Sequence, residues 1–139
     1  SMFLEIDKAK QLAPDDPEIN LLVGYIDTLL NKYDNALQEF RKAGPPYLSY
    51  RGQALVYRDT KAYPKAQAMV DKALAAASRN PDLLYLKGQI FALQDKPAEA
   101  IAFFDQALTI GKQLPESTKK QIRIERTNQM TQISSQKQS

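Results

Sequence analysis

The sequence predicts an all-α protein built as an array of antiparallel helix pairs, and three observations support this prediction. A four-residue phrase, by which we mean a sequence pattern, recurs along the chain. It consists of a small residue, an Ala twelve residues later, a bulky apolar residue four residues after that, and a second Ala after three more. Pro, Gly and Asn punctuate the chain at intervals that suit helices joined by short loops. No segment alternates apolar and polar residues with a period of two, so no sheet is expected.

The recurring phrase occurs three times, and successive copies start 30 and 34 residues apart. A fixed period of this length indicates stacked units, because each unit has more apolar surface than it can bury alone. Small residues let helices approach closely, so we expect Ala36, Ala66 and Ala100 to be buried at helix contacts. The copies are Gly24, Ala36, Phe40 and Ala43; Ala54, Ala66, Val70 and Ala73; and Gly88, Ala100, Phe104 and Ala107.

Local signals set the expected ends of the helices. Pro14 stops the first helix, and Pro17 suits the first turn of the second. Asp34 is expected to cap the third helix. Gly44 is expected to end it in the left-handed conformation, because Pro45 cannot continue a helix. The predicted helices cover residues 2–13, 17–31, 34–43, 46–60, 64–78, 82–94, 97–111 and 115–134, with fraying beyond.

The composition argues against several kinds of chemistry. The chain has no Cys and no His, so it lacks a thiolate nucleophile, the usual zinc ligands and the usual general base. It also lacks a Gly-rich phosphate loop. We therefore expect no catalytic residue, no metal site and no cofactor. No run of about 18 apolar residues occurs, so no transmembrane segment is expected. A soluble protein of either the cytoplasm or the periplasm fits this composition.

The net charge of +3 is concentrated at the end of the chain. From Lys112 onward, six cationic side chains accompany only Glu116 and Glu125. A basic helix admits binding to nucleic acid or to an anionic membrane. Its cationic residues are interspersed with Gln, Thr and Asn and lack aromatic neighbours, which disfavours nucleic acid as a partner. The preferred interpretation is a helix that covers the end of the array with one face.

Acidic side chains gather around the start of the second predicted helix. Asp15, Asp16 and Glu18 could contact a cation, but helix capping explains them better. Asp27 is interpreted as an exposed polar position rather than as a catalytic acid.

This pattern resembles the tetratricopeptide repeat family, whose unit is a 34-residue helix–turn–helix. Each copy carries the family's small residue at position 8 and Ala at positions 20 and 27. Tyr50 and Tyr57 also occupy family core positions, whereas Asn20 replaces a bulky residue and Asp27 replaces a Tyr. The resemblance implies a right-handed superhelical array of antiparallel helix pairs, an α-solenoid of about eight helices.

The resemblance also implies how a single domain of residues 1–139 is organised. A half repeat is followed by three repeats, and a capping helix with a frayed tail ends the chain. The expected segments are 1–16, 17–46, 47–80, 81–114 and 115–139.

In this family, four positions of each first helix line a binding groove. Here Arg51 and Arg58 are two helical turns apart and therefore project from one face. Tyr25 and Tyr85 lie on the flanking first helices. This set suits a peptide with apolar side chains and a carboxylate, although several members could merely cover the core. The groove residues are Leu21, Tyr25, Thr28, Leu48, Arg51, Leu55, Arg58, Tyr85 and Gln89.

Some family members bind the terminal carboxylate of heat-shock chaperones through a Lys and Asn clamp. None of the five clamp positions matches in this chain, so that function is disfavoured. The positions hold Leu21, Tyr25, Gly52, Asp82 and Leu86.

Three functional hypotheses follow. The first is a non-enzymatic scaffold that binds a partner protein or peptide, acidic and apolar in character, in the groove. The second is a homo-oligomer formed through the exposed half repeat. The third is an adaptor for an anionic surface that works through the basic helix, where Lys119 and Lys120 would be the test positions.

Overall fold

The computed structural model describes residues 2–138, with side chains for residues 4–137. Within residues 2–138 the fold is all-α, as predicted, and contains no strand. Residues 1 and 139, at the ends of the expected half repeat and tail, lie outside the described part. The described residues form eight helices: α1 (Met2–Leu12), α2 (Pro17–Leu29), α3 (Tyr33–Lys42), α4 (Pro46–Asp59), α5 (Tyr63–Ala76), α6 (Pro81–Leu93), α7 (Pro97–Ile110) and α8 (Glu116–Gln138).

The helices form two compact units. Unit 1 covers Ser1–Ala76 and contains α1 to α5, whereas unit 2 covers Ala77–Ser139 and contains α6 to α8. In unit 1, consecutive helices pack on one another, and α2 also contacts α4. In unit 2, α7 packs on both α6 and α8. The repeat boundaries expected from the sequence stay a prediction.

Every helix end but one lies within two residues of its predicted position. The exception is α8, which continues to Gln138 instead of fraying after residue 134. One predicted cap is also wrong. Helix α3 begins at Tyr33, after Lys32, and has no side-chain cap. Asp34 lies inside the first turn, where its carboxylate still interacts favourably with the positive end of the helix.

A left-handed residue closes the turn inside each of three helix pairs. These residues are Asn31, Lys61 and Asp95, with φ of 60°, 64° and 61°. In each turn the next residue donates its backbone N–H to the carbonyl five residues earlier, at 2.8, 2.8 and 3.0 Å. The three turns are spaced by 30 and 34 residues, so one backbone geometry recurs at the spacing of the sequence phrase.

The prediction for Gly44 is wrong, because no glycine of the described chain has a positive φ. The helix ends at Lys42, and Ala43 is already extended, with φ of −78° and ψ of 162°. The physical reason is that Gly44 directly precedes Pro45, whose ring disfavours helical backbone at the preceding residue.

Phe40 of α3 packs closely against both α2 and α4 in unit 1. Its side chain is fully buried and lies against two glycines, Gly24 on α2 and Gly52 on α4. A Cβ added at Gly24 would stand 2.7 Å from the ring, and one at Gly52 would stand 2.3 Å from it. Unit 2 repeats half of this arrangement, since a Cβ at Gly88 would lie 2.6 Å from the ring of Phe104. Close-packed interiors cannot accept such approaches.

The expected burial of the alanines is confirmed. Ala36, Ala66 and Ala100 each have 0% of their surface exposed. Ala54, the small residue of the second copy, is equally buried. Small side chains therefore mark the helix contacts in both units.

We expect Gly52→Ala to destabilise the fold by about 1–3 kcal/mol, because the added methyl group overlaps a buried ring. This loss should outweigh the gain of about 1 kcal/mol in helix propensity. Urea unfolding measures the change. The double variant Gly52→Ala/Phe40→Leu should lose less stability than the two single changes together. Strictly additive losses would show that the two residues do not meet.

A second expectation concerns the buried alanine of unit 2. Ala100→Leu should overpack the contact between α6 and α7 and lower the free energy of unfolding by about 1–3 kcal/mol. Ala98→Leu is the matched control, because Ala98 is exposed on the same helix. Equal melting temperatures for the two variants would contradict the assigned repeat register.

Candidate functional site

Seven of the nine groove residues lie in unit 1, on helices α2 and α4, which contact each other. All seven are half-buried. We call this set the first-helix face of unit 1. It comprises Leu21, Tyr25 and Thr28 of α2 and Leu48, Arg51, Leu55 and Arg58 of α4.

The best-defined element of this face is Arg51. Its Nη1 donates a hydrogen bond to the hydroxyl oxygen of Tyr25 at 3.1 Å. The ring of Tyr25 in turn packs edge-on against buried Phe40, with centroids 5.1 Å apart and an interplanar angle of 73°. Aromatic pairs favour such geometry. The guanidinium is thus oriented by a tyrosine that the core itself holds in place.

The alternative that groove residues merely cover the core applies to part of the face. Leu21 and Tyr25 pack against the cluster of Ala36, Phe40 and Val56. Thr28 uses its hydroxyl locally, donating to the carbonyl of Gly24 at 2.8 Å. The α2 side of the face therefore supports the core as well as lining the surface.

Arg58 lies two turns further along α4 than Arg51 and forms an ion pair with Asp59. Its Nε donates to Oδ1 at 3.2 Å, and the two side chains are 28% and 34% exposed. Partly exposed pairs of this kind are screened by water and contribute little stability. The pair therefore adds little to the fold, and Arg58 contributes cationic character to the α4 side of the face.

The remaining groove residues, Tyr85 and Gln89, lie on α6 in unit 2, and both hold Glu125 of α8. The Tyr85 hydroxyl donates to Oε2 of Glu125. Nε2 of Gln89 donates to Oε1 at 3.1 Å. Sequence reasoning missed Glu125. Its position three residues after the apolar Ile122 places both on one face of α8, but that spacing does not say which helix the face meets.

Helix α8 presents two different faces. On the inward side Ile122 is fully buried, and Nε of Arg126 donates to Oδ1 of Asp105 on α7 at 2.5 Å. On the outward side Lys120, Arg123 and Ile124 are exposed. Helix α8 therefore packs on α7 with one face and exposes the other, and its expected place at the end of the array stays a prediction.

Asp16 and Asp27 are acidic residues at the start and in the body of α2. Asp16 is the N-cap of α2 and accepts from the backbone N–H groups of Glu18 and Ile19 at 2.9 and 3.2 Å, so the capping interpretation is confirmed. Burial raises the pKa of Asp27, while nearby Lys32 and Lys10 lower it, and the first effect is the larger. Among the described side chains, no cluster of three or more acidic groups could hold a metal ion.

Two polar side chains are buried on α2 and α3. Glu39 is 7% exposed and forms an ion pair with Lys10 of α1. Asn20, which replaces a bulky residue of the family pattern, is 0% exposed. Within the described structure neither amide atom of Asn20 has a hydrogen-bond partner. A buried amide that stays unpaired costs about 1–3 kcal/mol.

The family resemblance is confirmed by comparison with known proteins. The family model of the tetratricopeptide repeat matches residues 51–115. Among curated proteins, none matches the chain significantly. No helix within residues 2–138 is both long enough and apolar enough to cross a membrane.

Solved structures show the same fold. PilW, a type IV pilus biogenesis factor, has a TM-score of 0.78 and 17% identity, over 91% of this chain and 60% of that protein. YrrB, described as a TPR protein with an unusual peptide-binding site, has a TM-score of 0.64 and 24% identity, over 77% and 57%. A structure of PcrH with the chaperone binding region of PopB has a TM-score of 0.69 and 13% identity, over 78% and 92%. This chain thus spans less than two thirds of the PilW and YrrB chains.

We expect Asn20→Leu to stabilise the fold by about 1–3 kcal/mol, because it removes two unpaired buried polar atoms and restores a bulky apolar group. Thermal and urea unfolding measure the change. Asn35→Leu, on the exposed side of α3, is the control and should leave stability nearly unchanged. Destabilisation by Asn20→Leu would indicate that the amide is satisfied in solution.

Proposed function

We propose that this protein is a non-enzymatic scaffold that binds a segment of a partner protein on the first-helix face of unit 1. The observation that carries the proposal is the orientation of Arg51 by Tyr25 and Phe40. An arginine held in this way needs little further ordering when a ligand arrives, which favours binding. Its planar head can pair with a carboxylate through two parallel hydrogen bonds.

The surroundings of Arg51 define the chemistry of the partner. Leu48 and Leu55 lie one turn before and one turn after Arg51 on α4 and are half-buried. Arg58 adds a second cationic group on the same face. A peptide with an acidic side chain flanked by apolar side chains complements this pattern. Nothing in the pattern calls for a reaction.

The structural relatives support this reading by analogy. The description of YrrB names a peptide-binding site, and PcrH was solved with a region of PopB. Those statements concern those proteins, and what this chain shares with them is the fold.

Self-assembly through the half repeat stays a second candidate. Leu4 and Leu12 of α1 are 55% and 87% exposed, and exposed apolar groups on one helix favour association. Light scattering over a concentration series tests this candidate, and a strict monomer removes it. The adaptor hypothesis is tested by the salt dependence of binding to an anionic polymer, which should be steep if the basic helix binds.

The scaffold proposal is tested with peptides selected on the full chain from a displayed library of random sequences. Arg51→Ala should weaken binding of the selected peptides by about 1–3 kcal/mol and leave the melting temperature unchanged. Arg79→Ala, which removes an exposed arginine outside the face, is the matched control. Isothermal titration calorimetry provides the affinities.

The same experiment tests the basic helix α8 as the alternative binding site, using the variants Lys119→Ala and Lys120→Ala. These changes should do little. Strong loss with the lysine variants and none with Arg51→Ala would move the function to the basic helix. Failure to select any peptide would contradict the scaffold proposal itself.

A further inference from the structure

We infer that Tyr85 and Gln89 of α6 form a carboxylate-binding site in unit 2, and that Glu125 of α8 occupies it as an internal ligand. An Asp or Glu side chain of a partner would reach this site only by displacing Glu125. The inference rests on the proposed function, because it assigns a ligand to groove positions of the second unit.

The contact has the geometry of ligand recognition. Tyr85 and Gln89 are one helical turn apart, and each donates to a different oxygen of the same carboxylate. Both oxygens are thus held by a single helix face. Gln121 of α8 adds a weaker contact, with its Nε2 3.4 Å from Oε2. All three donors are neutral, so none of them forms an ion pair with Glu125.

The two α6 positions are equivalent to those that carry the proposed site of unit 1. Tyr85 and Gln89 each lie 34 residues after Arg51 and Leu55, respectively. The same helix positions therefore present a cation and an apolar group in one unit, and two neutral donors in the other. In unit 2 the positions already hold an acid, which identifies the ligand class.

The docking of α8 does not depend on Glu125 alone. Fully buried Ile122 and the contact between Arg126 and Asp105 attach the helix to α7. Glu125 is only half-buried, and its side chain can change rotamer while the helix stays in place. While Glu125 occupies the site, a partner carboxylate cannot bind there. The apparent affinity for the partner is therefore the intrinsic affinity multiplied by the fraction of time that Glu125 is displaced.

The test uses the full chain with a ¹³C label in its tyrosine rings, and the Tyr85 resonance is observed by NMR. The probe is the blocked peptide acetyl-Leu-Glu-Leu-amide, compared with acetyl-Leu-Gln-Leu-amide. In Glu125→Ala the Glu peptide should shift Tyr85 saturably, with an affinity at least about ten-fold higher than in the unmodified chain. The Gln peptide should have little effect. Gln89→Ala in the Glu125→Ala background should weaken the binding.

Glu116→Ala is the matched control, because it removes an exposed carboxylate from the same helix; the Glu116 side chain is 81% exposed. It should behave like the unmodified chain. If Glu125→Ala does not fold, Glu125→Gln preserves the shape of the side chain and should still increase the affinity by about three-fold or more.

Three results would overturn the inference: equal affinities in the unmodified and Glu125 variants, equal responses to the two peptides, or no shift of Tyr85. The proposed function is tested by the Arg51 variants in unit 1, so the failure of that proposal can be distinguished from the failure of this inference. If the Glu peptide shifts the Tyr85 resonance but Arg51→Ala does not change peptide affinity, this inference stands and the proposed function is rejected.

Discussion

The packing of Phe40 between two glycines is the constraint on which the rest of unit 1 depends. Because the ring fills the space where side chains of Gly24 and Gly52 would stand, α2 and α4 are held close to α3 and to each other. This closeness brings Tyr25 within hydrogen-bonding distance of Arg51. The core contact of Phe40 therefore sets the position of the Arg51 guanidinium on the surface. The first-helix face owes its geometry to helix packing and not to a loop.

The two units carry different residues at the same helix positions. In unit 1 the positions present Arg51 beside Leu48 and Leu55, a combination that suits an acidic and apolar segment. In unit 2 they present Tyr85 and Gln89, which hold Glu125 of the same chain. If both proposals hold, unit 1 is open to a partner, whereas unit 2 admits one only in competition with its own last helix. Such competition makes the response of the protein depend on the strength of an internal contact.

Much of the fold could be predicted from the sequence because its signals are local. Helix ends follow from Pro, Asn and Asp, and the buried alanines follow from the repeated phrase. One error occurred where two local rules competed, at Gly44, where the following proline overrode the usual role of glycine at a helix end. Contacts between distant positions were not predictable. Residue spacing predicts neither the contact of Glu125 with α6 nor the burial of Asn20 without a hydrogen-bond partner, because both depend on which helix lies opposite.

The proposed binding surface is the first-helix face of unit 1, and it can be mapped by the amide NMR shifts of the full chain during titration with a peptide selected from a random library. If a partner segment binds on this face, the largest shifts should occur on α2 and α4, around Tyr25, Arg51 and Leu55. Shifts confined to the outward side of α8, around Lys120 and Arg123, would rule out this face as the binding surface.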